Sequence, residues 1–348
     1  MSLKNQYLLG SNIHIGNRVG GSASGGFAGW SHYFDVTVPA SQVDADQTSF
    51  PIPLQFDVPA GVTLRENMPD LRVCDLSTLA DIPYTTPANG LNSTTRKCDL
   101  WIKPDSLSSS VDNVFRIYVG NASVDAPESG ITWPTTWKRL ITRPGIGVDL
   151  INDETLTQNL TTLNETGQVQ ANANSYADYA VSSDVHVGSN DFTMVSVVSK
   201  SGFGSNDMLI GGPRASGNNS DTSYILFWYD TSHCKFAVNY GSLGVEMTSP
   251  LALGTFIPVI VRRNGNAWDM WANGGQIATM EPDITVNSPT ASLRIGNDSY
   301  LGTWGFQGTI HATIIVNGGY FTDAQMSIIS SSLGTPGTFQ SVGSLVAN

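Results

Sequence analysis

The chain has few charged residues, and fewer than half of these are basic. Only 13% of its 348 residues are Asp, Glu, Lys or Arg, against about 25% in an average globular protein. Lys and Arg number 17 and Asp and Glu 29, which gives a net charge of −12, and no run of basic residues occurs. Because binding to a phosphate backbone requires clustered cations, this composition disfavours a nucleic-acid partner.

Cysteines and long apolar runs are also scarce. The three cysteines, Cys74, Cys98 and Cys234, are too few and too scattered for a disulfide framework. Buried free thiols are favoured over the alternative, a bridge between Cys74 and Cys98. No apolar run has the length of a signal peptide or a membrane span. We therefore expect a protein that is made in a cytoplasm, does not follow the ordinary secretory route and has no membrane partner.

The motifs of common enzyme and metal sites are missing. The sequence has no paired His or Cys/His spacing for zinc, no Gly-x-Ser-x-Gly elbow and no phosphate-binding loop. A retaining glycosidase needs two carboxylates that face one cleft, and on a strand such residues lie two positions apart. Glu281 and Asp283 have this spacing, but Pro282 between them favours a loop. We therefore expect a protein without catalytic activity.

Alternation of apolar and polar residues runs through much of the chain and is typical of half-buried strands. Short runs of this kind, separated by Pro, Gly and Asn, predict an all-β protein with two tandem antiparallel β-sandwiches. In the first half these runs are 33–38, 51–56, 70–74, 99–103 and 114–119, and in the second half 191–200, 224–229, 235–240, 256–262, 292–297 and 306–316. One short helix is expected between Thr322, a candidate N-cap, and Ser331.

Changes in composition divide the chain into five parts. The predicted parts are a flexible, Gly/Ser-rich N-terminal arm (1–29), a first sandwich (30–125), a connector without periodicity (126–165), a second sandwich (166–335) and a C-terminal tail (336–348). Two readings of the arm remain open at this point. It is either a disordered tail or a segment that becomes ordered on a neighbouring subunit during assembly.

A hairpin is the clearest local feature of the second half. Apolar and polar residues alternate over Ala267–Ala272, and Asn273-Gly274 follows. A tight type I′ turn needs a positive φ at both of its central residues, and Asn-Gly favours this turn because Asn and Gly adopt a positive φ more readily than other residues. Trp268 and Trp271 lie three positions apart and therefore face opposite sides of the strand. We expect Trp268 in the core and Trp271 facing outward with Asp269.

Residues 30–122 resemble a family of domains of unknown function that often directly precede lectin-like domains. The resemblance is carried by an entry tryptophan and three segments, namely Trp30, Asp81–Tyr84, Leu100–Leu107 and Ile117–Asn121. It implies no chemistry.

The C-terminal half resembles the laminin-G-like branch of the concanavalin A-like lectin/glucanase superfamily. Its features occur in the family's order, at 176–180, 191–193, 263–274, the two late strands 293–296 and 306–310, and 320–326. The resemblance implies a jelly-roll sandwich. Many members of this branch also hold a calcium ion at the rim of the sandwich with Asp and Asn side chains in loops, and the resemblance implies such a site here. Asp207 and Asp298 are the candidate ligands, and simple Asx turns are the alternative.

Aromatic side chains that stack on sugars are the usual means by which lectin-like domains bind glycans. Trp271, Tyr300 and Trp304 are the candidates in this sequence. For the two loop residues, Tyr300 and Trp304, the alternative is a ring that folds back onto the sandwich.

These features together favour a structural protein of a bacteriophage virion, that is, a capsid decoration, head fibre or tail component assembled in the host cytoplasm. Residues 1–29 would anchor it to major capsid or tail proteins, and the lectin-like domain would bind host or environmental polysaccharide. A homo-oligomer, for example a trimer, is expected. The first alternative is a carbohydrate-binding module of a bacterial surface protein. The second is a polysaccharide-degrading enzyme, against which the missing carboxylate pair argues.

Overall fold

The part of the chain that the structure describes is built almost entirely of antiparallel β-strands. The prediction of an all-β fold with antiparallel sandwiches is therefore confirmed. The structure is a computed structural model, and it describes residues 27–348 except for 66–67, 88–89, 124–129, 143–147, 160, 165–166, 171–175, 179–181, 201–206, 213–222, 229, 231–232, 240–244, 251–255, 288–291 and 298–304.

The first sandwich pairs a five-stranded sheet with a four-stranded sheet. The five-stranded sheet contains β1 (His32–Val38), β4 (Arg72–Asp75), β9 (Asn113–Val119), β27 (Ser341–Val342) and β28 (Val346–Ala347). The four-stranded sheet contains β3 (Ile52–Asp57), β5 (Tyr84–Thr85), β6 (Leu91–Asn92) and β7 (Lys97–Ile102), while β2 (Gln47–Thr48) and β8 (Ser106–Leu107) form a separate pair. Phe34 and Phe56, whose ring centroids lie 5.6 Å apart, join the two sheets.

The second sandwich pairs an eight-stranded sheet with a seven-stranded sheet. The eight-stranded sheet contains β10 (Trp137–Thr142), β14 (Thr161–Asn164), β15 (Gly167–Gln170), β17 (Phe192–Lys200), β22 (Ile257–Asn264), β23 (Ala267–Ala272), β24 (Gly275–Met280) and β26 (Gly308–Asn317). The seven-stranded sheet contains β13 (Thr157–Asn159), β16 (Tyr176–Asp178), β18 (Asp207–Gly211), β19 (Tyr224–Trp228), β20 (His233–Val238), β21 (Val245–Pro250) and β25 (Arg294–Ile295). A small hairpin joins β11 (Val148–Asp149) to β12 (Glu154–Thr155).

Short helices complete the described fold. They are α1 (Asp323–Gly334), α2 (Pro336–Phe339) and the 3₁₀ turns Ala40–Gln42 and Ser183–Val185. At the start of α1, Thr322 accepts a hydrogen bond from the Gln325 backbone, and the Gln325 side chain bonds back to Thr322. This capping box confirms the predicted N-cap. In the described part of the chain, no helix is long and apolar enough to cross a membrane.

The central strands of the eight-stranded sheet are buried on both faces. On one face Val195, Ile260 and Ile314 belong to a core that is continuous with the first sandwich. On the other face Met194 and Val261 pack toward the seven-stranded sheet. A strand that is buried on both faces is typically rich in apolar residues. Strands β17 and β26 carry the apolar runs Val197–Val198 and Ile314–Val316, and polar residues such as Thr193, Ser196 and Thr313 are buried with them.

Aromatic side chains fill the contact between the two sandwiches. Trp137 lies at the centre, with ring centroids 5.2 Å from Phe321, 5.5 Å from Trp133, 5.9 Å from Trp101 and 6.0 Å from Phe50. Helix α1 packs beside this cluster, between β3 of the first sandwich and β22 of the second. The two sandwiches therefore share one apolar core.

The structure corrects two of the predicted domain boundaries. The segment predicted as a connector carries β10, which pairs with β26, as well as β13 and β14. The predicted C-terminal tail carries β27 and β28, which pair with β1 of the first sandwich. Strands β13 and β14 are rich in Thr and Asn, and β27 and β28 have two residues each, so their sequences show no apolar periodicity. In β10 the polar pair Lys138-Arg139 is followed by the apolar pair Leu140-Ile141, which is not an alternating pattern either.

Most of the predicted arm, residues 1–26, lies outside the described residues. Its last part packs on the first sandwich, because the Phe27 ring stacks on Tyr118 at 4.6 Å. The side chain of Asn348 donates to the carbonyl oxygens of Phe27 and Trp30. The C-terminal residue therefore lies beside the start of the described chain.

Two further predictions agree with the structure. Cys74, Cys98 and Cys234 are buried free thiols. In the hairpin between β23 and β24, Asn273 and Gly274 have φ values of 51° and 79°. Both residues therefore have the positive φ that a type I′ turn requires.

Candidate functional site

The two tryptophans of β23 lie on opposite faces of the eight-stranded sheet. Trp268 is 1% exposed and packs edge-to-face on Phe192 at 5.3 Å, between the two sheets of the second sandwich. Trp271 is half-buried and borders the core that is shared with the first sandwich. The prediction that the two rings face opposite sides of the strand, with Trp268 in the core, is confirmed. The prediction that Trp271 faces outward with Asp269 is only partly met, because Trp271 is half-buried and Asp269 is 6% exposed.

The indole of Trp271 is held in place by a carboxylate. Its Nε1 donates to Oδ1 of Asp269 at 2.7 Å. The other oxygen of Asp269 accepts from Nη2 of Arg262 at 2.7 Å and from Nε at 3.1 Å. Arg262 and Asp269 are direct partners across β22 and β23. The pairing of these two strands therefore fixes the orientation of the Trp271 ring.

The same guanidinium also reaches helix α1. Nη1 of Arg262 donates to Oδ1 of Asp323 at 2.6 Å and to the Phe321 carbonyl oxygen at 3.1 Å. Partial burial disfavours the charged form of Arg262, but the hydrogen bonds that it donates to Asp269 and Asp323 outweigh this effect and raise its pKa. Arg262 is thus a fixed positive charge that connects the sheet to the helix.

Tyr320 provides a second aromatic ring beside this arginine and is 37% exposed. The Cζ atom of Arg262 lies 5.9 Å from the Tyr320 ring centroid and 6.0 Å from that of Trp271. We call the set of Arg262, Asp269, Trp271, Tyr320 and Asp323 the Trp271 platform.

A similar set on the seven-stranded sheet shows what is particular to the Trp271 platform. There Arg294 bonds to Asp178, and its Cζ lies only 3.7 Å from the centroid of the Tyr176 ring. At 3.7 Å the guanidinium covers the ring face directly, whereas the separations of about 6 Å in the Trp271 platform are at the outer limit of a cation–π contact. The rings of the platform are therefore not covered by their arginine.

The chemistry of the platform suits a ligand with both apolar and hydroxylated faces. Trp and Tyr rings offer a large, rigid apolar surface at a low cost in side-chain entropy. Asp323 is the most accessible charged group of the set, with 70% of its side chain exposed. Its carboxylate can accept hydrogen bonds from hydroxyl groups. A sugar ring offers both kinds of face.

The other predicted glycan-binding residues, Tyr300 and Trp304, lie outside the described residues, as does the candidate calcium ligand Asp298. Asp207, the second candidate ligand, is 1% exposed, and its Oδ2 lies 2.5 Å from Nζ of Lys200. Burial lowers the pKa of Lys200, and the bond to Asp207 opposes that effect. The carboxylate of Asp207 thus has a cationic partner within the chain, and the described residues contain no group of three metal-ligating side chains. Calcium binding remains a prediction.

Sequence patterns did not indicate Arg262, Tyr320 or Asp323 as members of a site. The sequence does contain a signal for Arg262, namely the Gly265-Asn266 turn between β22 and β23. A two-residue turn at this point places Arg262 opposite Asp269. Tyr320 and Asp323 join the platform through tertiary packing, which sequence periodicity does not report.

No family model matches this chain, and no curated protein matches it by sequence. Several solved structures are similar to parts of it. The CBM40 domain of Ruminococcus gnavus IT-sialidase, bound to α2,3-sialyllactose, is 14% identical with a TM-score of 0.37, and the match covers 41% of this chain and 83% of that one. Domain 4 of AbnA, a GH43 arabinanase from Geobacillus stearothermophilus in complex with arabinotriose, is 13% identical with a TM-score of 0.42, covering 56% and 98%. A Trypanosoma rangeli sialidase is 11% identical with a TM-score of 0.47, covering 68% and 42%.

Proposed function

We propose that this chain is a non-catalytic carbohydrate-binding protein that recognises glycans with the Trp271 platform. One observation carries the proposal. The Trp271 ring, fixed by Asp269, and the exposed Tyr320 ring flank one arginine without being covered by it. Two aromatic rings in this arrangement offer a stacking surface that is already formed before a ligand arrives.

Preformation matters because the ordering of mobile side chains reduces affinity. Ordering a mobile side chain on binding costs about 0.5–1.5 kcal/mol. The hydrogen bonds that Trp271 and Arg262 donate to Asp269 order the indole before binding and avoid much of that cost. The sugar would stack its apolar face on the rings and donate a hydroxyl to Asp323.

The non-catalytic part of the proposal is supported by the one pair of acids with suitable spacing. Glu281 and Asp283 are both exposed and lie in the irregular segment after β24. A retaining glycosidase needs two carboxylates that face one cleft, and two exposed side chains in an irregular segment do not provide that arrangement.

The test uses the full chain on an array of immobilised oligosaccharides. Trp271→Ala and Tyr320→Ala should each weaken glycan binding about tenfold or more, because each removes one stacking ring, whereas Tyr176→Ala is the matched control and should leave binding unchanged. Tyr176 is half-buried and arginine-paired, but its ring face is occupied. A wild-type chain that binds no glycan would refute the proposal, and so would binding that is indifferent to the loss of Trp271.

The virion assignment remains a prediction from sequence. It depends on the arm, of which residues 27–29 alone are described. The expected contacts with capsid or tail proteins, the homo-oligomer and the assembly in a host cytoplasm remain predictions with it. A carbohydrate-binding role is compatible with a virion protein and with a bacterial surface protein, and we therefore put that role first.

A further inference from the structure

The arginine of the Trp271 platform is almost fully committed to groups of the protein itself. A guanidinium has five N–H donors. In Arg262, Nε and Nη2 each donate to Asp269, and Nη1 donates to both Asp323 and the Phe321 carbonyl. Four donors are thus engaged, which leaves at most one for a ligand.

This commitment limits the ligands that Arg262 can recognise. An arginine binds a carboxylate most effectively through two parallel N–H···O bonds. Arg262 already makes such a two-donor contact with Asp269 and cannot form another without breaking it. Its side chain is also only 11% exposed. A sugar carboxylate therefore finds no two-donor partner at Arg262.

The charge of the platform points in the same direction. Asp269 and Asp323 contribute two negative charges against the one positive charge of Arg262, in a chain whose net charge is −12. Asp323 is the exposed member, and the platform therefore presents a carboxylate to an approaching ligand. Like charges at a surface repel one another over a range set by the salt concentration.

We propose that the Trp271 platform selects neutral and amino sugars and discriminates against sialic and uronic acids. This inference rests on the proposed glycan-binding function and specifies its substrate class. Aromatic stacking provides affinity for any of these sugars. The engaged arginine and the exposed Asp323 then disfavour those that carry a carboxylate.

The inference is tested with pairs of probes that differ mainly in charge, bound to the full chain. Lactose is compared with 3′-sialyllactose, and N-acetylated chitohexaose with its deacetylated, cationic form. We expect lactose and both forms of chitohexaose to bind more tightly than 3′-sialyllactose. The preference over the anionic probes should decrease as salt is added.

Asp323→Asn isolates the effect of charge. The amide oxygen can still accept the hydrogen bond from Arg262, so the geometry of the platform is retained while one negative charge is removed. The discrimination against 3′-sialyllactose should decrease several-fold in this variant, and Asp105→Asn, which makes the same charge change at an exposed site in the first sandwich, should leave it unchanged.

The possible outcomes separate this inference from the proposed function. Tighter binding of 3′-sialyllactose than of lactose would overturn the selectivity but leave glycan binding in place. Discrimination that is identical in Asp323→Asn and the wild type would overturn it as well. If the chain binds none of the probes and no other glycan, the proposed function itself fails.

Discussion

Replacing Trp137 by Ala tests whether the two sandwiches unfold as one unit. Trp137, in β10 of the second sandwich, is 4% exposed and contacts four aromatic rings. Two belong to the first sandwich, one to the segment before β10 and one to the segment before α1. Removing an indole that buries roughly 150–200 Å² more than Ala loses about 4–5 kcal/mol of transfer free energy at ~25 cal/mol per Å². Measured Trp→Ala and Phe→Ala costs in protein cores are about 3–5 kcal/mol.

The assay is equilibrium unfolding in urea, followed by far-UV circular dichroism and by tryptophan fluorescence. We expect coincident transitions with both probes in the wild type, and the same coincidence at lower urea in Trp137→Ala. Val111→Ala, at a 63% exposed position of the first sandwich, is the control and should leave the midpoint unchanged. Two separate transitions, of which the mutation shifts one alone, would refute a shared core. A loss below about 1 kcal/mol would refute the packing argument.

Three smaller changes test individual contacts. Asp269→Ala leaves the Trp271 indole without its acceptor and removes one carboxylate from Arg262, and should cost about 2 kcal/mol in urea unfolding as well as weaken glycan binding; unchanged stability would contradict the described network. Thr322→Ala removes the N-cap of α1 and should cost about 1 kcal/mol, whereas Thr322→Ser, which retains the hydroxyl acceptor, should cost much less. The hydrogen bond from Arg72, opposed by partial burial, lowers the pKa of Asp81 below its ordinary value of 3.8. The stability from this pair is therefore present above pH 3.8 and is lost as the pH falls through the lower folded-state pKa. Since Asp81 is 57% exposed, the loss should stay below about 1 kcal/mol, and Asp81→Asn should flatten that part of the acid unfolding curve.

Local features of the fold could be predicted where one short segment contains its own signal. The hairpin after β23 depends on Asn273-Gly274, and both residues have the positive φ that this dipeptide favours. The opposite faces of Trp268 and Trp271 follow from strand periodicity alone, and the helix start follows from the capping residues Thr322 and Gln325.

Features that depend on distant partners could not be predicted in this way. Strands β27 and β28 have two residues each and exist as strands because β1 offers an edge on which they pair. The sequence of β14, Thr-Thr-Leu-Asn, has no apolar alternation that would predict a strand, and its backbone pairs with β15 at the margin of a sheet. The platform shows both cases, since Arg262 and Asp269 meet through local hairpin pairing, while Asp323 arrives from 61 residues away along the chain.

The position of the platform links binding to the shared core. Arg262 is held between a strand of the second sandwich and Asp323, the first residue of α1, and that helix packs on β3 of the first sandwich. Any change that shifts α1 therefore also shifts the carboxylate that fixes Arg262 and, through Asp269, the Trp271 ring. Because a ligand of the native state stabilises that state by mass action, a bound neutral oligosaccharide should raise the unfolding midpoint of both sandwiches together. If the ligand moved one transition alone, the platform would be a property of the second sandwich, and the first sandwich would have no part in positioning it.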